Sequence, residues 1–226
     1  MTLQSGEANA PLPAVAMGSC SNCSVFWFDA GGSIGLTPRA VLGLFQFIGN
    51  AGNKPRTPLA SNLQCPRCTS GLALTHDLQR NTRFTYWRCA RDRGQLITFE
   101  QFLREKNFVR SPTPAELAHL RDMIRQISCS QCGAPVDLAT DSACPHCGAA
   151  ISLVDPDGVA KAVHELAAAG AVPSPAVQEQ TRDALSDAQI GALFDAARMN
   201  ERDNGHDLLA IGLTAVGAAL AHFLNS

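Results

Sequence analysis

Residues 129–135 read Cys129-Ser-Gln-Cys132-Gly-Ala-Pro135, and residues 144–150 read Cys144-Pro-His-Cys147-Gly-Ala-Ala150. Eleven residues separate Cys132 from Cys144. Each Cys-x-x-Cys is followed by glycine, the residue that lets the backbone turn tightly beneath two sulfurs. Two such knuckles supply four thiolates to one tetrahedral ion, and zinc is the expected occupant. A four-sulfur zinc site is coordinatively closed and therefore structural. The predicted ligands are Cys129, Cys132, Cys144 and Cys147.

Cys144-Pro-His-Cys147 alone also reads as a redox dithiol. Such a motif should open a helix after a buried strand in a βαβ unit. Here it follows Asp141-Ser-Ala and runs into Gly148-Ala-Ala-Ile-Ser-Leu-Val, which reads as a short strand leaving a knuckle. A second knuckle at this distance selects the metal reading.

The chain has 226 residues and nine cysteines, eight of them in Cys-x-x-Cys pairs. That usage fits small metal-stapled units with little hydrophobic core of their own. Metal-held thiols fit a reducing, cytoplasmic setting. Residues 1–19 contain no Lys or Arg, so no secretory signal is expected. The net charge of −2 hides an asymmetry. Residues 53–110 carry eleven Lys/Arg against four Asp/Glu, a net of +7, whereas residues 111–226 carry six against fourteen, a net of −8.

Upstream of the quoted stretch, five more cysteines compete for ligand roles. Cys20-Ser-Asn-Cys23 runs into Val25-Phe-Trp-Phe-Asp29. Cys65-Pro-Arg-Cys68 is followed by alternating stretches on both sides of Arg80-Asn81, which predict a β-hairpin returning to Cys89. One solution joins Cys20, Cys23, Cys65 and Cys68 in a four-thiolate site and leaves Cys89 as a buried small side chain. The other uses Cys65, Cys68 and Cys89 with Asp92 as an oxygen ligand. The first is preferred because thiolates hold zinc better than a lone carboxylate. Either way about two zinc ions per chain are expected.

Helices are predicted between these units. Thr37-Pro38 opens one that carries Val41, Leu44, Phe45 and Ile48, stops near Gly49, and packs on the Phe26-Trp27-Phe28 cluster. Thr98-Phe-Glu-Gln101 and Thr113-Pro-Ala-Glu116 are capping-box patterns. In the first helix Phe102 and Leu103 should face inward and Arg104-Glu-Lys106 outward. In the second, Leu117, Leu120, Ile124 and Ile127 should form one helical stripe. Asp155-Pro156 caps a helix carrying Val159, Val163 and Leu166. Residues 182–202 and about 206–224 read as further helices, the last with Leu209, Leu213, Val216, Leu220 and Phe223 at four-three spacing.

Two resemblances bear on this reading. Cys20 to Asp29, with the helix after it, resembles the second half of a TFIIB-type zinc ribbon, in which a knuckle runs into a Trp-containing turn and a helix. From the hairpin through Asp155 the chain is similar to a bacterial double zinc-ribbon group of unassigned activity, carried by Phe-Leu-Arg-Glu-Lys (102–106) and Cys-Gly-Ala-Pro-Val-Asp (132–137). The resemblance implies ribbons and names no reaction.

The fold class expected is α+β: small zinc-ribbon hairpin units joined by short helices, then an all-helical C-terminal region. The divisions are a leader over 1–17, an N-terminal zinc-ribbon unit with helices over 18–110, a helix plus C-terminal ribbon over 111–155, and helices over 156–226. Phosphate loops, zincin pairs and deaminase arrangements are missing from the sequence, so no enzyme activity is expected. The functional expectation is a scaffold or adaptor that meets a protein partner, or itself, through the C-terminal helices. The alternative is nucleic-acid binding by Arg80, Arg83, Arg88, Arg91 and Arg93 with Tyr86 and Trp87, since interleaved cations and aromatics serve phosphate contacts and base stacking. Leu208–Leu224 spans 17 residues diluted by Gly and Ala, which argues against a membrane span.

Overall fold

A computed structural model describes residues 16–51, 57, 59–79, 82–168, 192, 207–208 and 211–212. It is a mixed α/β structure with antiparallel sheets and four α-helices among the described residues. In chain order these are β1 (Met17–Cys20), β2 (Val25–Phe28), α1 (Pro38–Ala51), β3 (Ala73–Gln79), β4 (Thr82–Arg88), β5 (Gln95–Thr98) and α2 (Phe99–Glu105). There follow β6 (Val109–Arg110), α3 (Pro114–Met123), β7 (Gln126–Ser128), β8 (Pro135–Asp137), β9 (Leu153–Val154) and α4 (Pro156–Ala168). The described residues fall into two units, one within Met1–Thr37 and Pro55–Glu105, the other within Pro38–Lys54 and Lys106–Ser226. The helices and seam expected within 182–224 lie outside the described residues, apart from residues 192, 207, 208, 211 and 212. No helix among the described residues is long and apolar enough to cross a membrane.

The first unit is a five-stranded antiparallel sheet in the order β1-β2-β5-β4-β3. Its centre is β2, where Val25, Phe26, Trp27 and Phe28 are all buried. A strand covered on both faces tolerates no alternation, which is why this run is continuously apolar. On one face Phe26 meets Phe99 and Phe102 of α2, with ring centroids 4.5 and 5.3 Å apart. On the other, Trp27 joins Val25, Leu96, Cys65 and Cys89 in a second cluster. The start of α2 is fastened by Thr98, whose hydroxyl accepts the Gln101 N–H at 3.2 Å. Gln101 in turn accepts the Thr85 N–H of β4 at 2.8 Å and pins the helix to the sheet. Glu105, expected outward, is buried and hydrogen-bonded to Ser33. The short helix turns that carboxylate under the sheet's cover because a seven-residue element has little outer face left.

In the second unit, β7 and β8 form a hairpin with Ile127 opposite Val136, and β6 pairs with β9. Ile127 and Val136, with Leu120, Ile124, Leu138, Ile151 and Leu153, form one buried cluster with Cys129 and Cys144. Leu208 is buried in the same cluster, and Asp207 accepts the Ser130 hydroxyl at 2.6 Å. The stripe expected along one helix is divided: α3 ends at Met123, Ile124 is extended, and Ile127 belongs to β7. Leucine and isoleucine at those spacings serve a helix face and a strand face around one core. Helix α1 belongs to this second unit. Its Phe45 stands edge-on to Phe108, 5.3 Å between centroids, and the helix packs along α4. Its buried face is Val41, Leu42, Phe45, Ile48 and Gly49, and it runs through Gly49 to Ala51.

Two features of this packing are testable. Thr113 and Glu116 form a complete capping box: the Glu116 N–H donates to Thr113 Oγ1 at 3.2 Å, and the Thr113 N–H donates to Glu116 Oε2 at 2.7 Å. Arg110 grips the same carboxylate at 2.6 and 2.8 Å and, with the Thr113 donors, holds it down at about 2. Thr113→Ala should lower stability by about 1 kcal/mol, read from the urea midpoint. Because the Glu116 carboxyl is depressed on folding, its contribution is fully present above the unfolded value near 4.5 and is lost as pH falls through about 2. Glu116→Gln should flatten that acid limb, and an unchanged limb would refute the pairing. At Gly94, an added Cβ would lie 2.1 Å from Cζ2 of the buried Trp27 ring. Gly94→Ala should therefore cost about 1–3 kcal/mol by overpacking and shift the tryptophan emission.

Candidate metal centres

The second unit builds its site from two turns of the same design. At Cys129 the backbone N–H donates to the Ala134 carbonyl at 2.8 Å, and the Gly133 N–H donates back to the Cys129 carbonyl at 2.8 Å. At Cys144 the equivalent bonds run to Ala149 and from Gly148, at 2.8 and 2.9 Å. Gly133 and Gly148 take φ of 76° and 73°, left-handed values that an L side chain resists. Each turn aims its two thiols at the other turn. Cys129 Sγ lies 3.7 Å from Cys147 Sγ, and Cys132 Sγ lies 3.7 Å from Cys144 Sγ. All four sulfurs fall within 4.8 Å of one another. A tetrahedral ion with metal–sulfur bonds of about 2.3 Å requires sulfur–sulfur edges of about 3.8 Å, so this cage fits such an ion.

Four thiols this close cannot all ionise without help. Burial pushes Cys129 up, and burial with the neighbouring Cys132 and Cys144 thiols pushes Cys147 up to about 11. Burial also acts on Cys144, but the backbone N–H groups of Cys147 and His146 outweigh it and leave that thiol at about 7. A divalent cation removes the conflict, since thiolate, not thiol, is the ligand form. His146 is exposed on the outside of its turn. The chain leaves Cys147 into Gly148 and an isolated bridge at Ala150, with no helix opening there, so the geometry is that of a knuckle and not of a redox dithiol.

In the first unit the thiols brought together are those of Cys65, Cys68 and Cys89. The knuckle at Cys65 repeats the two bonds: Cys65 N–H to the Ser70 carbonyl and Thr69 N–H to the Cys65 carbonyl, both 2.9 Å. The β3–β4 ladder, paired from Ala73–Arg88 to Gln79–Thr82, returns the chain so that Cys89 lands beside the knuckle. Cys68 Sγ and Cys89 Sγ are 3.4 Å apart, with Ser70 Oγ 2.7 Å from the former and 3.7 Å from the latter. The Asp92 backbone N–H, the Ser70 hydroxyl and Cys68 hold the Cys89 thiol down at about 6, whereas burial pushes Cys65 up to about 11. Among the described residues, this trio and the second unit's quartet are the two places where three or more ligating side chains cluster so tightly, and both could hold a metal ion.

The arrangement preferred from sequence, Cys20 and Cys23 with Cys65 and Cys68, is not the set gathered here. Cys20 and Cys23 sit where β1 turns into β2 and pack against the cluster formed by Val25, Trp27, Cys65, Cys89 and Leu96, outside the tight trio. The Cys23 thiol is pushed up, first by its hydrogen bond with Cys20. A hairpin closes over a short loop, whereas joining residues 20–23 to 65–68 must be done across the sheet. The ladder therefore decides which thiols meet.

Residues that sequence reasoning passed over hold this centre in place. The Trp27 indole N–H donates to Asp29 Oδ1 at 2.9 Å. Arg67, inside the knuckle, donates to both oxygens of Asp29 at 3.1 and 2.8 Å. The signal was present as the aromatic run ending in Asp29, but nothing in the sequence paired it with Arg67.

The basic hairpin is only partly as expected. Arg83, Arg88, Arg91 and Arg93 are exposed, and Arg80 lies outside the described residues. Tyr86 is buried beside Phe84 with ring centroids 5.9 Å apart. Trp87 is half-buried against the cysteine cluster. The arginines face water, but Phe84 and Tyr86 offer no open ring for a base to stack on. No protein-family model, curated protein or solved structure matches this chain, so its function has to be read from the geometry of the two cysteine centres and the surfaces beside them.

Proposed function

We propose that this chain is a non-enzymatic zinc-ribbon scaffold whose two cysteine centres hold structural zinc and whose rigid hairpins meet a protein partner. The observation that carries the metal reading is the second-unit quartet, with two Sγ–Sγ separations of 3.7 Å and every sulfur within 4.8 Å of the rest. An all-thiolate tetrahedron selects zinc among the common divalent ions and leaves no site for water or substrate. Structural zinc supplies folding free energy directly, which suits units whose small apolar clusters include the cysteines themselves.

The protein-partner reading is supported by β3. Among the described residues it is the sheet's edge, paired on one side only, and it exposes Leu74 and Leu78 at 53% and 59%. An edge strand with exposed leucines suits a partner that adds a strand and buries those side chains. The reduced, metal-held cysteines agree with a cytoplasmic setting.

Elemental analysis of the purified chain should give about two zinc per chain. Cys132→Ser should lose one ion and unfold residues 129–154, seen as loss of amide protection there, while the first unit keeps its protection. Full metal retention in that variant would refute the quartet as a site. In co-purification, Leu74→Lys with Leu78→Lys should release the bound protein without loss of zinc. If nuclease-sensitive nucleic acid co-purifies instead and is lost with Arg83→Glu and Arg88→Glu, the scaffold reading fails.

A further inference from the structure

We infer that Asp92 is the fourth ligand of the first centre, making it a site of three thiolates and one carboxylate for a divalent cation of the zinc class. This rests on the metal-binding reading of the cysteine clusters and goes beyond it by assigning a ligand from backbone geometry. The chain makes the same turn four times. At Cys65, Cys89, Cys129 and Cys144 the cysteine N–H donates to the carbonyl five residues on, at 2.8–2.9 Å. The N–H four residues on donates back to the cysteine carbonyl, at 2.8–3.0 Å. In each case that fourth residue has a left-handed backbone: Thr69 at 58°, Arg93 at 59°, Gly133 at 76° and Gly148 at 73°. Three of the four turns place a cysteine three residues after the first: Cys68, Cys132 and Cys147. The turn at Cys89 places Asp92 there.

The side chain stands beside the trio, outside its 4.8 Å cluster but near one of the three sulfurs. Asp92 Oδ2 lies 3.9 Å from Cys65 Sγ. A tetrahedral ion with sulfur at about 2.3 Å and oxygen at about 2.0 Å sets that separation at about 3.5 Å, so a rotation of the Asp92 side chain toward all three sulfurs would complete the set. The Asp92 N–H also donates to Cys89 Sγ at 3.3 Å, the position from which the backbone N–H groups of Cys68, Cys132 and Cys147 bond to Cys65, Cys129 and Cys144 in their own turns. The competing groups are weaker. Ser70 is a neutral alcohol placed to hydrogen-bond sulfur, and Cys20 and Cys23, outside the trio like Asp92, belong to the β1–β2 turn and not to the hairpin's own turn.

The chemistry has a consequence. A single carboxylate is a poorer partner than thiolate for a borderline-soft ion, so the first centre should release metal before the second. The backbone adds to this, because Thr69 and Arg93 take left-handed angles that the second centre assigns to glycine.

The test uses the full chain loaded with zinc, then with cobalt(II). A chromophoric chelator should remove zinc from the wild type in two phases. Asp92→Ala should accelerate the fast phase at least about tenfold, or abolish it, and leave the slow phase unchanged. Asp92→Cys should slow the fast phase and raise the first centre's thiolate-to-cobalt charge-transfer absorption by about one third, as three thiolates become four. If Asp92→Ala does not fold, Asp92→Asn and Asp92→Cys decide the matter by the same readouts. If Asp92→Asn and Asp92→Cys leave the fast phase and the cobalt spectrum unaltered while Cys20→Ser or Cys23→Ser removes that ion, Asp92 is overturned as the ligand. A wild type that binds no metal would instead overturn the underlying reading of both clusters.

Discussion

Backbone hydrogen bonding inside a six-residue turn is the constraint on which this molecule depends. A cysteine N–H and carbonyl are both satisfied within the turn, at Cys65, Cys89, Cys129 and Cys144 alike, and the side chains that remain have to point inward. Burying backbone polar groups is tolerable only when they are paired, so the turns can sit at the centre of their units. Cys65, Cys89, Cys129 and Cys144 are accordingly buried among aliphatic and aromatic side chains and form part of the core itself. What the turns do not settle is the charge of several thiols packed together. A divalent cation would settle it, and in the proposed reading metal and core are one structural element.

The two centres differ in what surrounds them. In the second unit, glycine occupies both left-handed positions, and short hairpins and aliphatic residues close the site. In the first, threonine and arginine occupy those positions, and support comes from a five-stranded sheet through Trp27, Asp29 and Arg67. The sheet holds in place a turn whose own residues resist it. A rigid frame can impose such a backbone because its strain is small beside the apolar area that β2 buries.

This division also bears on the surfaces. The face of β4 that looks toward α2 spends Phe84 and Tyr86 on packing, while the opposite face commits Trp87 to the cysteine cluster. The large apolar groups left open on the hairpin belong to β3, as Leu74 and Leu78. In the proposed reading these two leucines meet a protein surface, and the exposed arginines nearby form a basic rim beside them.

The amino-acid sequence by itself determined the second cysteine cluster, the capping box at Thr113 and Glu116 and the β3–β4 hairpin. Each of these is local: ligand spacing, a four-residue cap and an alternation can be read without knowing what lies across the fold. Only the tertiary structure decided which of the five N-terminal cysteines meet, because Cys20, Cys65 and Cys89 are far apart in the chain and the strand register brings Cys89, not Cys20, to the knuckle. It likewise decided that Ile127 turns from helix to strand, that α1 packs along α4, and that Arg67 binds Asp29. Pairings between distant residues depend on ladder register and on which apolar faces find each other, and neither leaves a mark in the spacing of a single stretch.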